Sequence, residues 1–116
     1  MTPQRFLCSQ LVSLSEHSTS EYSPETAGER LVNLEEIWCG GAILEAETAV
    51  APGALVELRC GGAVFRGRIL EVQPHEFGWR FEVEFSPNTP WRPEEFRPDH
   101  LLDPSAVGKK PDEKPD

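Results

Sequence analysis

The sequence predicts an all-β domain, and three features support that prediction. Short runs of β-forming residues recur at close intervals, glycine or proline separates them, and few apolar residues follow a helical period. The chain has 11 prolines and 9 glycines in 116 residues, which favours turns over long helices. Because closure into a barrel removes exposed strand edges, we expect the strands to form a small β-barrel.

Six segments have the composition of strands and are bounded by turn residues. They cover residues 6–14, 30–37, 42–45, 55–60, 63–72 and 77–85. The last segment has the clearest pattern, because large apolar side chains alternate with charged or small ones along its whole length. Its apolar side chains are expected in the core, and they are Phe77, Trp79, Phe81, Val83 and Phe85.

The second predicted strand is expected to alternate without interruption. That pattern places Leu31, Glu35 and Ile37 on one side, and it places Glu36 and Trp38 on the other. Glu35 and Glu36 would then point to opposite faces, so they could not share one acid/base site.

Glycine pairs mark two of the predicted turns. Gly61 and Gly62 lie between two strand segments and indicate a hairpin, since glycine supplies the positive φ of two-residue turns. Gly40 and Gly41 indicate a tight turn or a bulge, where another group can approach the backbone closely. Gly67 is expected to bend the fifth strand.

One domain is expected to cover residues 1–103, which is an ordinary size for a single hydrophobic core. Within it, the polar residues 15–28 are predicted to form a long loop. Pro93, followed by two acidic residues, predicts the start of a short helical segment. Residues 104–116 are rich in Lys, Pro and Asp and are predicted to form a disordered polar tail.

The net charge of -9 limits the classes of partner. Residues 1–108 carry all of it, with 8 arginines, no lysine and 17 acidic residues. An acidic surface repels a phosphate backbone, so binding to a nucleic-acid polymer is not expected. A nucleotide messenger remains compatible with this charge, because a local arginine cluster can hold its phosphates.

Cysteine usage and the start of the chain indicate the compartment. The three cysteines Cys8, Cys39 and Cys60 are odd in number and far apart, which argues against a disulfide framework and a zinc site. Buried thiols in a reducing cytosol explain them best. No long apolar run follows Met1, so we expect no membrane span and a cytoplasmic protein.

The sequence contains no catalytic fingerprint such as a P-loop or a nucleophile elbow. We therefore expect no enzymatic activity, no cofactor and no metal site. The histidines lack the spacing of metal ligands, and they are His17, His75 and His100.

Arginines in the fifth and sixth strands have two interpretations. Arg66 and Arg68 lie on one side of a strand, and together with Arg80 they could form an anion-binding patch. Alternatively, they pair across strands with acidic neighbours, namely Glu57, Glu82 or Glu84.

One stretch resembles a known family. An acidic residue and isoleucine, Glu36 and Ile37, are followed after three residues by Gly-Ala-X-Leu, and a Pro-Gly pair then precedes the next strand. This order resembles the PilZ domain family over about residues 31–86. The resemblance implies a six-stranded antiparallel β-barrel with a short C-terminal helical segment. Many members of that family bind the bacterial messenger cyclic di-GMP.

The resemblance also implies candidate ligand-binding residues. Messenger-binding members use Arg-X-X-X-Arg near the first strand and Asp/Asn-X-Ser-X-X-Gly near the second. Here Glu36 takes the acidic position, Trp38 replaces the serine, and Gly41 takes the glycine position. Arg5 is the one arginine in the first region, since Ser9 stands where the second is expected.

Two functions follow from this incomplete motif. The first is a PilZ-like, non-catalytic regulatory or protein-interaction module with a degenerate messenger site. The alternative is a cyclic di-GMP-binding receptor domain in bacterial signalling. Trp38 has two physical options: its indole fills the former site, or it stands exposed as an anchor for a protein partner.

Overall fold

The computed structural model describes residues 4–17 and 29–102. Its six strands are β1 (Phe6–His17), β2 (Glu29–Trp38), β3 (Gly41–Ala46), β4 (Leu55–Cys60), β5 (Ala63–His75) and β6 (Gly78–Phe85). Every pairing is antiparallel, and the strands close into one barrel in the order β1-β2-β3-β6-β5-β4. The predicted six-stranded antiparallel β-barrel is confirmed.

Strand boundaries follow the turn chemistry most closely at β4. This strand has the predicted bounds, and the Gly61–Gly62 turn that follows it has the expected positive φ of 61° at Gly61. Both β1 and β5 run three residues beyond their predicted ends, because each continues to pair with a neighbouring strand there. Residues 18–28 and 104–116, predicted as loop and tail, lie outside the described residues.

The barrel interior is filled by aliphatic side chains from every strand and by Phe81. Between its bulges, each strand sends alternate side chains toward the interior, as a closed barrel requires. The largest fully buried side chains are Phe81, Leu14, Leu34, Ile37, Leu44, Leu58, Ile69, Val32, Val56, Val83 and Cys60.

A β-bulge in β2 changes which side chains face the interior. Leu34 pairs with Leu44 and Glu36 pairs with Ile43, so Glu35 is an extra residue without a partner in β3. The predicted uninterrupted alternation is therefore wrong. Ile37 is 1% exposed and lies in the core, whereas Leu31, predicted on the same side, is 67% exposed.

The aromatic face of β6 is only partly in the core. Phe81, Val83 and Phe85 are buried as predicted, but Phe77 is 85% exposed and Trp79 is half-buried. The reason is the length of the neighbouring strand. β3 ends at Ala46, which pairs with Trp79, so Phe77 lies in the β5–β6 turn beyond the last layer of the interior.

The segment after β6 closes one end of the barrel. Phe96 and Leu101 pack on the core, whereas Leu102 is exposed and forms a two-way backbone bridge with Leu7. Within the described part of the chain, residues 93–95 of the expected helical segment form a turn.

Candidate functional site

The four residues selected from the sequence meet at the β2–β3 hairpin. Trp38 and Gly41 are cross-strand partners, and the two-residue turn Cys39–Gly40 joins them. Two other segments hold this turn in place. The backbone N–H of Phe85 donates to the Gly40 carbonyl at 2.9 Å, and that of Trp91 donates to the Cys39 carbonyl at 3.1 Å.

Gly41 is needed because two groups approach it closely. A Cβ added at this position would lie 2.3 Å from the Val83 carbonyl oxygen and 3.0 Å from Cζ2 of the Trp38 indole. No side chain fits within the first of these distances. The glycine therefore has a packing role here, because it lets β6 and the indole share the surface of β3.

Arg5 lies over the indole of Trp38. Its Cζ atom lies 3.8 Å from the centroid of the Trp38 ring, a cation–π geometry. Its Nη1 atom is 3.3 Å from Oε1 of Glu36. Because Glu36 and Trp38 are two residues apart in β2, both lie on the same face, and one guanidinium can contact both.

These contacts bring Arg5, Glu36, Trp38 and Gly41 together. The guanidinium is paired with the Glu36 carboxylate and stacked on the indole, and the indole packs against the glycine. Trp38 is 5% exposed although it lies outside the core cluster. The structure therefore excludes the exposed-anchor option for the indole, because the ring is buried and packs against Gly41.

The other arginines are mostly held by carboxylates. Arg66 Nε lies 2.9 Å from Oε2 of Glu57, as the cross-strand interpretation predicts. Arg80 instead pairs with Glu35, at 3.6 Å, and Arg30 pairs with Glu16, at 2.6 Å. Arg66 and Arg80 are therefore each paired with a carboxylate, while Arg68, the third arginine of the suggested patch, is exposed.

A titratable cluster on the outer wall was not found from the sequence. The bulged Glu35 lies beside Glu45, whose Oε2 is 2.6 Å from Nε2 of His75. Burial, a hydrogen bond to Glu45 and the charge of Glu45 raise the pKa of Glu35 to about 7, while Arg80 and Asn33 act to lower it. No spacing in the sequence signals this cluster, because the bulge and the cross-strand register create it.

Two of the three cysteines offer little nucleophilic character. Burial raises the pKa of both the Cys8 and the Cys60 thiol to about 12, so both remain protonated at neutral pH. Cys39 is exposed in the β2–β3 turn. Among residues 4–17 and 29–102, no three His, Cys, Asp or Glu side chains converge as metal ligands.

A second surface feature lies at the opposite end of β2 and β3. A groove of about 700 Å³ runs between the start of β2 and the β5–β6 turn. Its exposed apolar side chains are Leu11, Leu31 and Phe77, and Trp79 lies among them. The sequence pattern does not indicate this groove, because alternation along residues 77–85 predicts that Phe77 and Trp79 lie in the core.

Comparisons with protein families, with curated proteins and with solved structures found no match for this chain. The candidate site thus rests on its own geometry and on the resemblance of its sequence. In the part of the chain that the structure describes, no helix has the length and apolar character needed to cross a membrane.

Proposed function

We propose that this chain is a PilZ-like, non-catalytic module that acts in regulation or protein interaction, and that its messenger site is filled by its own side chains. The observation that carries this proposal is the stack of Arg5 on Trp38, with Glu36 paired to the same guanidinium. The arginine that would hold a phosphate is already engaged, and an indole stands where a serine hydroxyl would bind a base.

The energy terms favour the filled arrangement. A nucleotide that recruits Arg5 must first displace the cation–π contact, worth about 0.5–2 kcal/mol, and the exposed ion pair, worth up to about 1 kcal/mol. The absent second arginine removes a further charge-assisted contact of roughly 1.5–3 kcal/mol. Together these terms weaken the expected binding of the messenger by about 2–6 kcal/mol relative to a site with two free arginines.

A cyclic di-GMP receptor is the second candidate function, and one observation favours it. The Arg5 side chain is about half-exposed, so the guanidinium can swing away from the ring. Its departure would free one face of the indole, on which a purine could stack. In that case Trp38 would replace the missing hydrogen bond with a stacking contact.

Calorimetric titration of the unaltered protein tests the two functions. Cyclic di-GMP and GTP would be titrated separately up to millimolar concentration. We expect no heat of binding from either nucleotide. Micromolar binding of cyclic di-GMP alone would overturn the interaction-module proposal, and loss of that binding in Arg5→Ala would locate the messenger at this site.

A further inference from the structure

The groove at the far end of β2 and β3 is separate from the Arg5–Trp38 site. Two apolar walls line it, and the strand order places them on either side of β3. Leu11 and Leu31 form one wall, and Phe77 and Trp79 form the other. Large apolar side chains so close together on a surface are the mark of an interaction site.

The charges around the groove select the partner. Arg30 is neutralised by Glu16, whose Oε1 lies 2.6 Å away, and it also bonds Thr48. Glu45 faces His75. Glu47, on the groove, and Glu76, next to Phe77, are exposed and make no ion pair within the described residues. The uncompensated charge at the rim is therefore negative.

We propose that this groove binds an amphipathic helix of a protein partner, with lysine or arginine beside its apolar stripe. The apolar stripe would enter between the two walls, and the cationic side chains would meet Glu47 and Glu76. This proposal rests on the proposed function as an interaction module and adds the surface and the chemistry of the partner.

The charge pattern disfavours other occupants. An anionic membrane or a nucleic acid would meet a chain with a net charge of -9. A second copy placed face to face would bring Glu47 and Glu76 against their own equivalents or near them, and like charges at an interface are costly. A cationic segment gains from the same field that repels these occupants.

Fluorescence of the full chain tests the proposal. The probe is a synthetic helical peptide of leucine and lysine, with leucine at helical spacing, and the control peptide carries glutamate in place of lysine. Trp79 reports binding, because it lines the groove, whereas Trp38 and Trp91 are buried elsewhere. We expect a blue shift and saturable binding with the lysine peptide only.

Variants locate the binding. Phe77→Ser and Leu31→Ser should each weaken binding by about ten-fold or more, which corresponds to about 1.4 kcal/mol. The double variant Glu47→Lys, Glu76→Lys should weaken it by a similar factor. Leu70→Ser is the matched control, because Leu70 is an exposed apolar residue of β5 that does not line the groove. Its affinity should change by less than about two-fold.

Several outcomes would overturn the proposal. They are no binding of the lysine peptide, equal binding of both peptides, and equal loss in Phe77→Ser and Leu70→Ser. A dimer in sedimentation that Phe77→Ser abolishes would assign the groove to a second copy instead. These results are independent of the cyclic di-GMP titration, so a failure here leaves the filled messenger site standing, and binding of the messenger would leave the groove standing.

Discussion

Aromatic side chains lie outside the core cluster at both ends of the β2–β3 ladder, but they are covered at one end and accessible at the other. At one end Trp38 is covered by Arg5 and packs against Gly41, and its turn is bonded to β6 and to the segment after β6. At the other end Phe77 and Trp79 form one wall of an open groove. An aromatic ring on the outside of a barrel is closed off only where a second segment of the chain reaches it.

The largest test of this contrast compares two phenylalanines. Phe81 is 1% exposed in the barrel interior, and Phe81→Ala should reduce the free energy of unfolding by about 3–5 kcal/mol. Phe77→Ala, at the open end, should change it by less than about 0.5 kcal/mol. Denaturant unfolding measures both, and equal midpoints for the two variants would contradict the assignment of core and surface.

The second test restores the PilZ motif residues at the end of the barrel where Arg5 covers Trp38. The variant Ser9→Arg, Glu36→Asp, Trp38→Ser keeps Arg5 and restores both motifs of the PilZ family. We expect a gain of cyclic di-GMP affinity of about 100-fold, or about 2.7 kcal/mol. The same variant with Arg5→Ala is the control and should lose the gain. A rebuilt protein that stays folded but binds no messenger at millimolar concentration would count heavily against the family resemblance.

Two adjacent glycines, Gly40 and Gly41, differ in how much space surrounds them, so substitution by alanine should affect stability differently at each. Gly41→Ala should destabilise the protein by about 1–3 kcal/mol, because its Cβ would meet the Val83 carbonyl oxygen at 2.3 Å. Gly40→Ala is the matched control, since its Cβ would come no closer than 3.6 Å to the Trp38 ring. Thermal unfolding of both variants checks the difference, and a neutral Gly41→Ala would remove the packing role of this glycine.

Glu35 should make the stability of the protein depend on pH. Its pKa rises on folding from 4.5 to about 7, so its contribution to stability is fully present below 4.5 and is lost as the pH rises through 7. Glu35→Gln should therefore flatten the decline in unfolding free energy across this window. Glu94→Gln, an exposed carboxylate of the segment after β6, should leave the decline unchanged. If the unfolding free energies of the parent and of Glu35→Gln declined in parallel with pH, Glu35 would be excluded as the cause of the decline.

The sequence predicted the barrel well where turn chemistry defines its elements. The bounds of β4 are correct because a glycine pair ends it, and the residues aligned through the family resemblance do meet in space. The predictions from the sequence were wrong where the position of a side chain depends on pairing with neighbouring strands. A period of two cannot show that Glu35 is bulged, or that β3 ends before it can cover Phe77. Those facts are properties of strand pairing, which no single segment encodes.

The extra residue in β2 makes position 35 the place where this strand tolerates a change of length. Loss of the codon for Glu35 would join Leu34 directly to Glu36 and make their pairs with Leu44 and Ile43 consecutive, so Ile37 would stay in the core and Trp38 would stay outside it. An insertion or deletion at another position of β2 would instead exchange the faces of the residues on one side of it. Variation in the length of this strand should therefore be confined to the bulge.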